Sequence, residues 1–540
     1  MGPHHVALLS HPAADQPRPT LARPRSARWR PGAALVLTGI VLVGLALRGY
    51  RLSARSVWFD EAFSWRLIQF PLGEMVARTA RDNHPPLYFL LLKAWSGLFG
   101  SSELALRSLS VLFGGLTILG MYLFTVEAFG RGRRADADQE RQPHPRTLGL
   151  LIAALVALTA FQVRWSWEVR MYSLGTALAA FSSWAMFRCL RPTARRRDAL
   201  LYGVLLLAFV YTHYYALFTL AAQAIFLAGF LLVRARGKLG AVLRDPCFHH
   251  SLLAAAIVVL GWLPWLPEFL AQRAQVQAHF WTQTVDRWVL QEASYRMLFD
   301  PEGPKPYYRA GEVTLALCGL VLLSLLWKAR AAEWYLFSAA LGPVALGVLV
   351  SWLDTNSFNL RYLLFAHLFF LASLAVLVLR MPFPTLRAWV VALLLAGFLA
   401  VSVRFWQGLD VTHKPGARAA VAAIAAARKP GEPVVAASPL LYYSLLYYAG
   451  NEAGWRLYND GPELLHYQGV AVVRPGEITA AEELRAVPAG RVWVVDMAGG
   501  YWGHHTVPVP ADWVEVSRQE FPEVYWLQGS IYVVEYRTGR

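Results

Sequence analysis

The run Trp58-Phe59-Asp60-Glu61-Ala62-Phe63 sets two adjacent carboxylates among aromatic side chains. Aromatics favour the boundary between a bilayer and water, so a solvated helix with an aromatic anchor is one reading of this run. The other makes Asp60 a general base that takes the proton of an attacking hydroxyl, with Glu61 assisting or orienting. Four further motifs carry groups that suit such a base. They are His84-Pro85-Pro86-Leu87-Tyr88 with Lys93 and Arg107 beyond it, Trp167-Glu168-Val169-Arg170-Met171-Tyr172, Thr212-His213-Tyr214-Tyr215, and Asn359-Leu360-Arg361-Tyr362-Leu363-Leu364. Each alone has a structural explanation. Prolines fix the entry of a helix, Glu168 can pair with Arg170, a long cationic side chain can reach out to the interface, and Arg-Tyr is a common interfacial anchor.

Taken together, the motifs bring the donors Arg170, His213 and Arg361 to the side that holds Asp60 and Glu61. Cationic donors facing a carboxylate base suit the displacement of an anionic leaving group such as a phosphate. Nearby arginines also keep Asp60 ionised against the effect of burial. The sequence has no Gly-rich phosphate cradle, Walker sequence or dinucleotide fingerprint, so a lipid-linked phosphate fits better than a soluble nucleotide. Cys189, Cys247 and Cys318 lie in or beside apolar runs and give neither a disulfide framework nor zinc spacing.

The elements that must position these residues are membrane spans. The 540 residues are 56% hydrophobic and only 16% charged, and apolar runs recur from Ala33 to Trp406. A hydrocarbon core about 30 Å thick takes roughly 20 apolar residues per helix. The net charge of +16 does not indicate nucleic acid, because the arginines sit in short loops between apolar runs. Twelve runs are candidates, but Lys and Arg favour cytoplasmic loops. The basic segments at 18–30, 131–146, 188–197, 234–244, 328–330 and 380–387 share one side only if His84–Phe99 does not cross. That stretch reads as a helix lying in the interface.

Eleven spans remain, roughly Ala33–Leu47, Leu104–Phe124, Leu148–Val163, Met171–Phe187, Ala199–Tyr211, Tyr215–Val233, Leu252–Leu270, Val313–Trp327, Trp334–Trp352, Tyr362–Leu379 and Trp389–Val403. An odd number puts the termini on opposite faces, and every motif above falls on the non-cytoplasmic one. The expected organisation is a disordered basic cytoplasmic tail (1–30), a transmembrane all-α catalytic domain with interfacial helices in its first outer loop (31–406), and an extracytoplasmic α/β domain (407–540). The apolar run after the tail lacks a small-residue cleavage site and reads as an uncleaved first span. In the last segment we expect helices over Gly416–Arg428 and Leu440–Tyr448 and strands near Val434–Ala437, Val492–Asp496 and Ile531–Tyr536.

The order and spacing of the motifs resemble the GT-C glycosyltransferases of the family 39-like group, which includes protein O-mannosyltransferases and lipid A aminoarabinose transferases. The matching residues are Asp60-Glu61, His84 to Tyr88, Ser102 to Arg107, Trp167 to Leu174, Thr212 to Tyr215 and Arg361 to Leu364. The resemblance implies an inverting transfer of a sugar from a polyprenyl-phosphate-linked donor to a lipid, glycan or protein acceptor. Transfer would occur on the outer face of the plasma (inner) membrane. It implies that Asp60 matches the family's catalytic acidic position, with Glu61 assisting or orienting it. Arg170, His213, Arg361, Tyr362, His84 and Arg107 would line the donor phosphate. Some relatives carry a metal near the site. No clear ligand set for one is present here, so no metal is assigned and a divalent cation stays open. The mannosyltransferases' MIR repeats have no counterpart in this chain, which weakens a protein acceptor. A transporter or flippase of lipid-linked sugars is the alternative, since arginines in a membrane cavity could hold a headgroup in transit.

Overall fold

The computed structural model describes residues 31–540 apart from 131–142, 279–281, 283, 300, 302–307, 355, 357, 410, 500–502, 524–528 and 540. The basic tail expected over 1–30 lies outside the described residues.

The first long helix, α1 (Pro31–Gly49), is followed by three short ones in the first loop, α2 (Phe59–Ile68), α3 (Leu72–Thr79) and α4 (Leu87–Phe99). The bundle continues through α5 (Glu103–Phe129), α6 (Pro145–Leu158), α7 (Ala160–Trp165), α8 (Tyr172–Cys189), α9 (Arg196–Val210) and α10 (Ala216–Arg234). After α11 (Leu239–Val242) come α12 (Pro246–Trp262), α13 (Leu266–Ala278), α14 (Arg287–Leu298), α15 (Tyr308–Ser324), α16 (Ala331–Leu353), α17 (Leu364–Leu379) and α18 (Pro384–Gly408).

Among the described residues, seven helical stretches are long and apolar enough to cross a membrane: Pro31–Gly49, Glu103–Phe129, Ala216–Arg234, Pro246–Ala278, Ala331–Leu353, Leu360–Leu379 and Pro384–Gly408. The chain is a multi-span membrane protein. The expected count of eleven is not reproduced by length and composition. Three of the remaining four runs, α6, α9 and α15, are shorter. The fourth, α8, is buried along most of its length and rich in Ala, Ser and Gly. It approaches α5 so closely that a Cβ on Gly120 would lie 3.0 Å from that of Ala180. Small residues permit such contact between membrane helices where lipid-facing bulk is not needed. Helix α4, from the run excluded by charge, has 13 residues and rises about 20 Å, too little to cross.

One expected span, Leu148–Val163, is broken. Thr159 is extended (φ −69°, ψ 125°) between α6 and α7, which frees carbonyls at the end of α6. Arg48 answers them from α1, its Nη2 donating to Val156 O at 2.9 Å and its Nη1 to Ala157 O at 3.0 Å. Buried backbone acceptors away from water need such partners. Gly114 makes room for this guanidinium, since a Cβ there would come within 2.8 Å of Arg48.

Beyond α18 the chain forms a small mixed-sheet domain. Its elements are α19 (Gly416–Ala427), β1 (Val434–Ala436), α20 (Pro439–Ala449), β2 (Trp455–Tyr458), β3 (Ile478–Thr479), α21 (Ala481–Arg485), β4 (Gly490–Ala498), β5 (Val514–Pro522) and β6 (Ser530–Thr538). The strand order is β3-β2-β1-β4-β6-β5. Strands β3, β2, β1 and β4 are parallel, with Val434 opposite both Trp455 and Trp493, and β6 pairs antiparallel with β4 and β5. Both expected helices and all three expected strands are present, and β2, β3 and β5 are additional.

The sheet domain is fastened to the first loop. Arg66 of α2 is fully buried and ion-paired to Glu452 and Glu477 of the sheet domain. Arg418 pairs with Glu103 at 2.5 Å, Tyr448 Oη accepts from Val57 N at 2.7 Å, and Tyr447 packs edge-on to Trp65.

Candidate active site

A cavity of about 450 Å³ lies between the bundle and the sheet domain. Its floor is built by four separate pieces of chain: the start of α2, the turn before α4, the turn between α7 and α8, and the one-turn 3-10 helix Leu360–Leu363. Asn359 starts that 3-10 turn by accepting the Arg361 N–H on its side-chain oxygen at 3.2 Å, which fixes where Arg361 emerges.

Asp60 sits in the first turn of α2, where the helix dipole favours a carboxylate. Arg361 Nη1 donates to its Oδ2 at 2.9 Å and to Tyr172 Oη at 3.1 Å. Burial pushes the Asp60 carboxyl up, but the charges of Arg170 and then Arg361 outweigh it and hold the group below its ordinary range. Asp60 is therefore a cavity-facing carboxyl group whose neighbouring arginines favour its ionised form.

His84 bridges the next two charges. Its Nδ1 lies 3.1 Å from Asp82 Oδ2, and Arg170 Nη2 lies 3.3 Å from Nδ1 and 3.5 Å from Nε2. Burial and then the Arg170 charge depress the imidazole's pKa, with Asp82 opposing them. The ring stands between the Asp82 carboxylate and the Arg170 guanidinium, in an environment that favours its neutral form. Arg170 Nε is buried with no hydrogen-bond partner among the described residues.

His213 stands one layer back. Tyr215 N donates to its Nδ1 at 3.1 Å, so the proton belongs on Nε2, which is buried without a partner among the described residues. Its ring packs against Tyr362 at 4.7 Å and against His84 at 5.7 Å. Burial, then His84 and the two arginines, keep it well below the usual histidine range. It lines a second, largely apolar cavity of about 300 Å³, walled by residues such as Leu217, Phe218, Phe269 and Val276. The two cavities share Asn83, His84 and Tyr362.

Two expected site residues lie elsewhere. Glu61 and Arg107 form a fully buried pair, with Arg107 Nη2 to Glu61 Oε2 at 2.6 Å and Nε to Oε1 at 2.8 Å. The guanidinium also donates to Leu52 O at 2.7 Å, Arg55 O at 3.0 Å and Ser56 O at 3.2 Å. Neither residue reaches the cavity. Successive residues on a helix point about 100° apart, so Asp60 and Glu61 serve different surroundings. The Glu168 side chain pairs with Arg164 at 2.5 Å rather than with Arg170. Lys93 donates to Ile68 O at 2.7 Å and Phe70 O at 2.9 Å, closing the turn after α2.

The structure also adds residues that the motifs did not single out. Asp82 precedes the His-Pro-Pro turn by two positions, and Tyr172 lay inside a motif without a role. The roof comes from the sheet domain through Ser438, Asn459, His466, Gln468 and His505. Among the described residues no group of three His, Cys, Asp or Glu side chains is gathered as a metal site would require.

The solved structure of ArnT from Cupriavidus metallidurans bound to undecaprenyl phosphate superposes over 94% of this chain and 98% of that one, with a TM-score of 0.57 and 14% identity. The fold is that of ArnT. The same protein in the apo state covers 93% of this chain and 98% of its own, with a TM-score of 0.56 and 13% identity. The Saccharomyces cerevisiae protein O-mannosyltransferase Pmt1-Pmt2 complex is more distant, at a TM-score of 0.34 and 16% identity over 51% of this chain and 37% of that one. Residues 82–236 match the family model of the protein O-mannosyl-transferase TMEM260 N-terminal domain. No curated protein matches. The GT-C resemblance drawn from the motifs is thus borne out in fold, and the sheet domain after the bundle is part of the ArnT-like superposition.

Proposed function

We propose that the protein is an inverting glycosyltransferase that uses a polyprenyl-phosphate-linked sugar. The observation that carries this reading is the pairing of an ionised Asp60 with Arg361 at 2.9 Å, with Arg170 lining the same cavity. Asp60 takes the proton of the acceptor hydroxyl as its oxygen bonds to the anomeric carbon. The bond from that carbon to the phosphate oxygen breaks on the opposite side, and polyprenyl phosphate departs against Arg170 and Arg361. Preorganised cations stabilise charge where it develops. The apolar second cavity beside His84 and Tyr362 suits the lipid part of the donor, which a soluble nucleotide sugar would not need. His213 supports Tyr362 from behind, while Arg107 and Glu61 shape the loop that presents Asp60. A donor phosphate competes with Asp60 for Arg361, which leaves the carboxylate available to the acceptor hydroxyl.

The test is release of polyprenyl phosphate from polyprenyl-phosphate sugars by the purified protein in detergent. Asp60→Asn should cut release about 10²- to 10⁴-fold while leaving the unfolding midpoint in place. Equal release by both proteins would sink the role of Asp60, and translocation without release would favour the flippase reading. The same proposal puts the cavity on the extracytoplasmic face. The three native cysteines are buried, so cysteines placed at the exposed positions Ala453 and Thr193 should report the faces cleanly. An impermeant thiol reagent outside the cell should label Ala453→Cys and spare Thr193→Cys, and the reverse pattern would overturn the orientation.

A further inference from the structure

The parallel part of the sheet has a switch point. The chain runs β1, β2, β3 outward in one direction and then returns to place β4 on the other side of β1. In open α/β sheets, ligands bind outside the carboxyl ends of the strands at such a point. Here those ends face the cavity. Ser438 follows β1, Asn459 follows β2, and His505 is bridged to the end of β4 through Met497, with backbone bonds of 2.8 and 3.0 Å.

The chemistry of this edge separates it from the floor. Among the described residues, no Asp, Glu, Lys or Arg from the sheet domain lines the cavity. The turn from β1 into α20 is also unsuited to a phosphate. Pro439 at the first helical position has no N–H, and the Ser438 hydroxyl already accepts the Leu440 N–H at 3.3 Å. What the edge offers is amide and imidazole groups. Asn459 Nδ2 is held by Pro462 O at 3.0 Å and Gln468 Oε1 by Leu465 N at 2.9 Å, so both amides are oriented before a ligand arrives. Gly469, at φ +81°, brings the second of these loops down, because a Cβ there would meet Tyr443 at 2.7 Å and Phe59 at 3.4 Å. Oriented neutral amides recognise hydroxyl groups and leave charge recognition to the floor.

We infer that the carboxyl edge of the sheet domain is a carbohydrate-hydroxyl subsite, with Asn459 and Gln468 as specificity-determining residues. Sugar selection then resides in the roof and leaving-group departure in the floor. This rests on the glycosyl-transfer reading above. The two sources of a carbohydrate, the donor's sugar and the acceptor's, are distinguished by varying one at a time.

The experiment measures kcat/KM for polyprenyl phosphate release with the full-length protein, first over donors differing in the configuration of single hydroxyls and then over acceptors differing likewise. Losing one neutral hydrogen bond is expected to change the preference between two such sugars about tenfold in Asn459→Ala and Gln468→Ala. A shift along the donor series seats the donor's sugar at this edge, and a shift along the acceptor series seats the acceptor's. The partly exposed Gln468 gives a second variant if Asn459→Ala fails to fold. An active wild type whose preferences survive both substitutions, or whose rates fall equally for every sugar, overturns this inference alone. A wild type that releases nothing from any donor removes the glycosyl-transfer reading beneath it.

Discussion

The floor and the roof of the cavity are built on opposite principles. The floor draws Asp60, His84, Arg170 and Arg361 from four distant pieces of chain and pairs Arg361 with Asp60 and Arg170 with His84, so that burial and neighbouring charges together set the ionisation of Asp60 and His84. The roof takes its polar groups from loops at one edge of a single sheet, and its two amides, Asn459 and Gln468, are fixed by nearby backbone. A floor of that kind is sensitive to any single change of charge. A roof of that kind can change side chains one by one without disturbing the chemistry beneath it, which is what variation in specificity requires.

Breaking the floor should therefore have the largest effects. Asp60→Asn removes a general base, and the expected loss of polyprenyl phosphate release is about 10²- to 10⁴-fold. Next comes a change behind the floor. Arg107→Ala strands Glu61 as an unpaired buried carboxylate, and loss of one partner from such a pair costs about 3–5 kcal/mol. Its unfolding midpoint in detergent should fall markedly, where Asp60→Asn leaves it in place. If Arg107→Ala kept its stability while Asp60→Asn lost it, the division between cavity and support would be reversed.

A smaller effect sharpens the comparison through pH. Burial raises the Asp60 pKa, and Arg170 and Arg361 lower it by more. The acid limb of kcat/KM in the wild type should then lie below the ordinary carboxylate value, because Asp60 must be ionised to accept a proton. Arg170→Gln removes the larger of the two lowering charges and should move that limb to higher pH. Asn459→Ala in the roof should leave the limb where it is. An unmoved limb in Arg170→Gln would show that the titrating group is not Asp60.

Much of the floor is legible in the sequence, since ionisable residues at the ends of apolar runs stand out against the cost of placing them there. Asp60, His84, Arg170, Arg361 and Tyr362 all reach the cavity wall from such positions. Adjacency misleads for Glu61, because neighbours in sequence are a quarter turn apart on a helix. Arg107 carries the same sequence signal as Arg170 although its partners turn it inward. The break at Thr159 has no proline or glycine to announce it and depends on Arg48, which is remote in the chain. The roof is the least legible part. Asn459, Gln468 and His505 are ordinary loop residues of a small domain, and only the strand order brings them together. Strand β5 was missed because it is an exposed edge carrying Glu515, Arg518 and Glu520, a composition that protects edges from further pairing and reads as loop.

Arg66 has a consequence for traffic. Its guanidinium is wholly enclosed between two glutamates of the sheet domain, and prying the domain away would expose three charges that now satisfy one another. A joint made this way does not serve as a hinge. A closed joint of this kind would leave the apolar cavity beside His84 and Tyr362 as the way in for the lipid-linked donor proposed above.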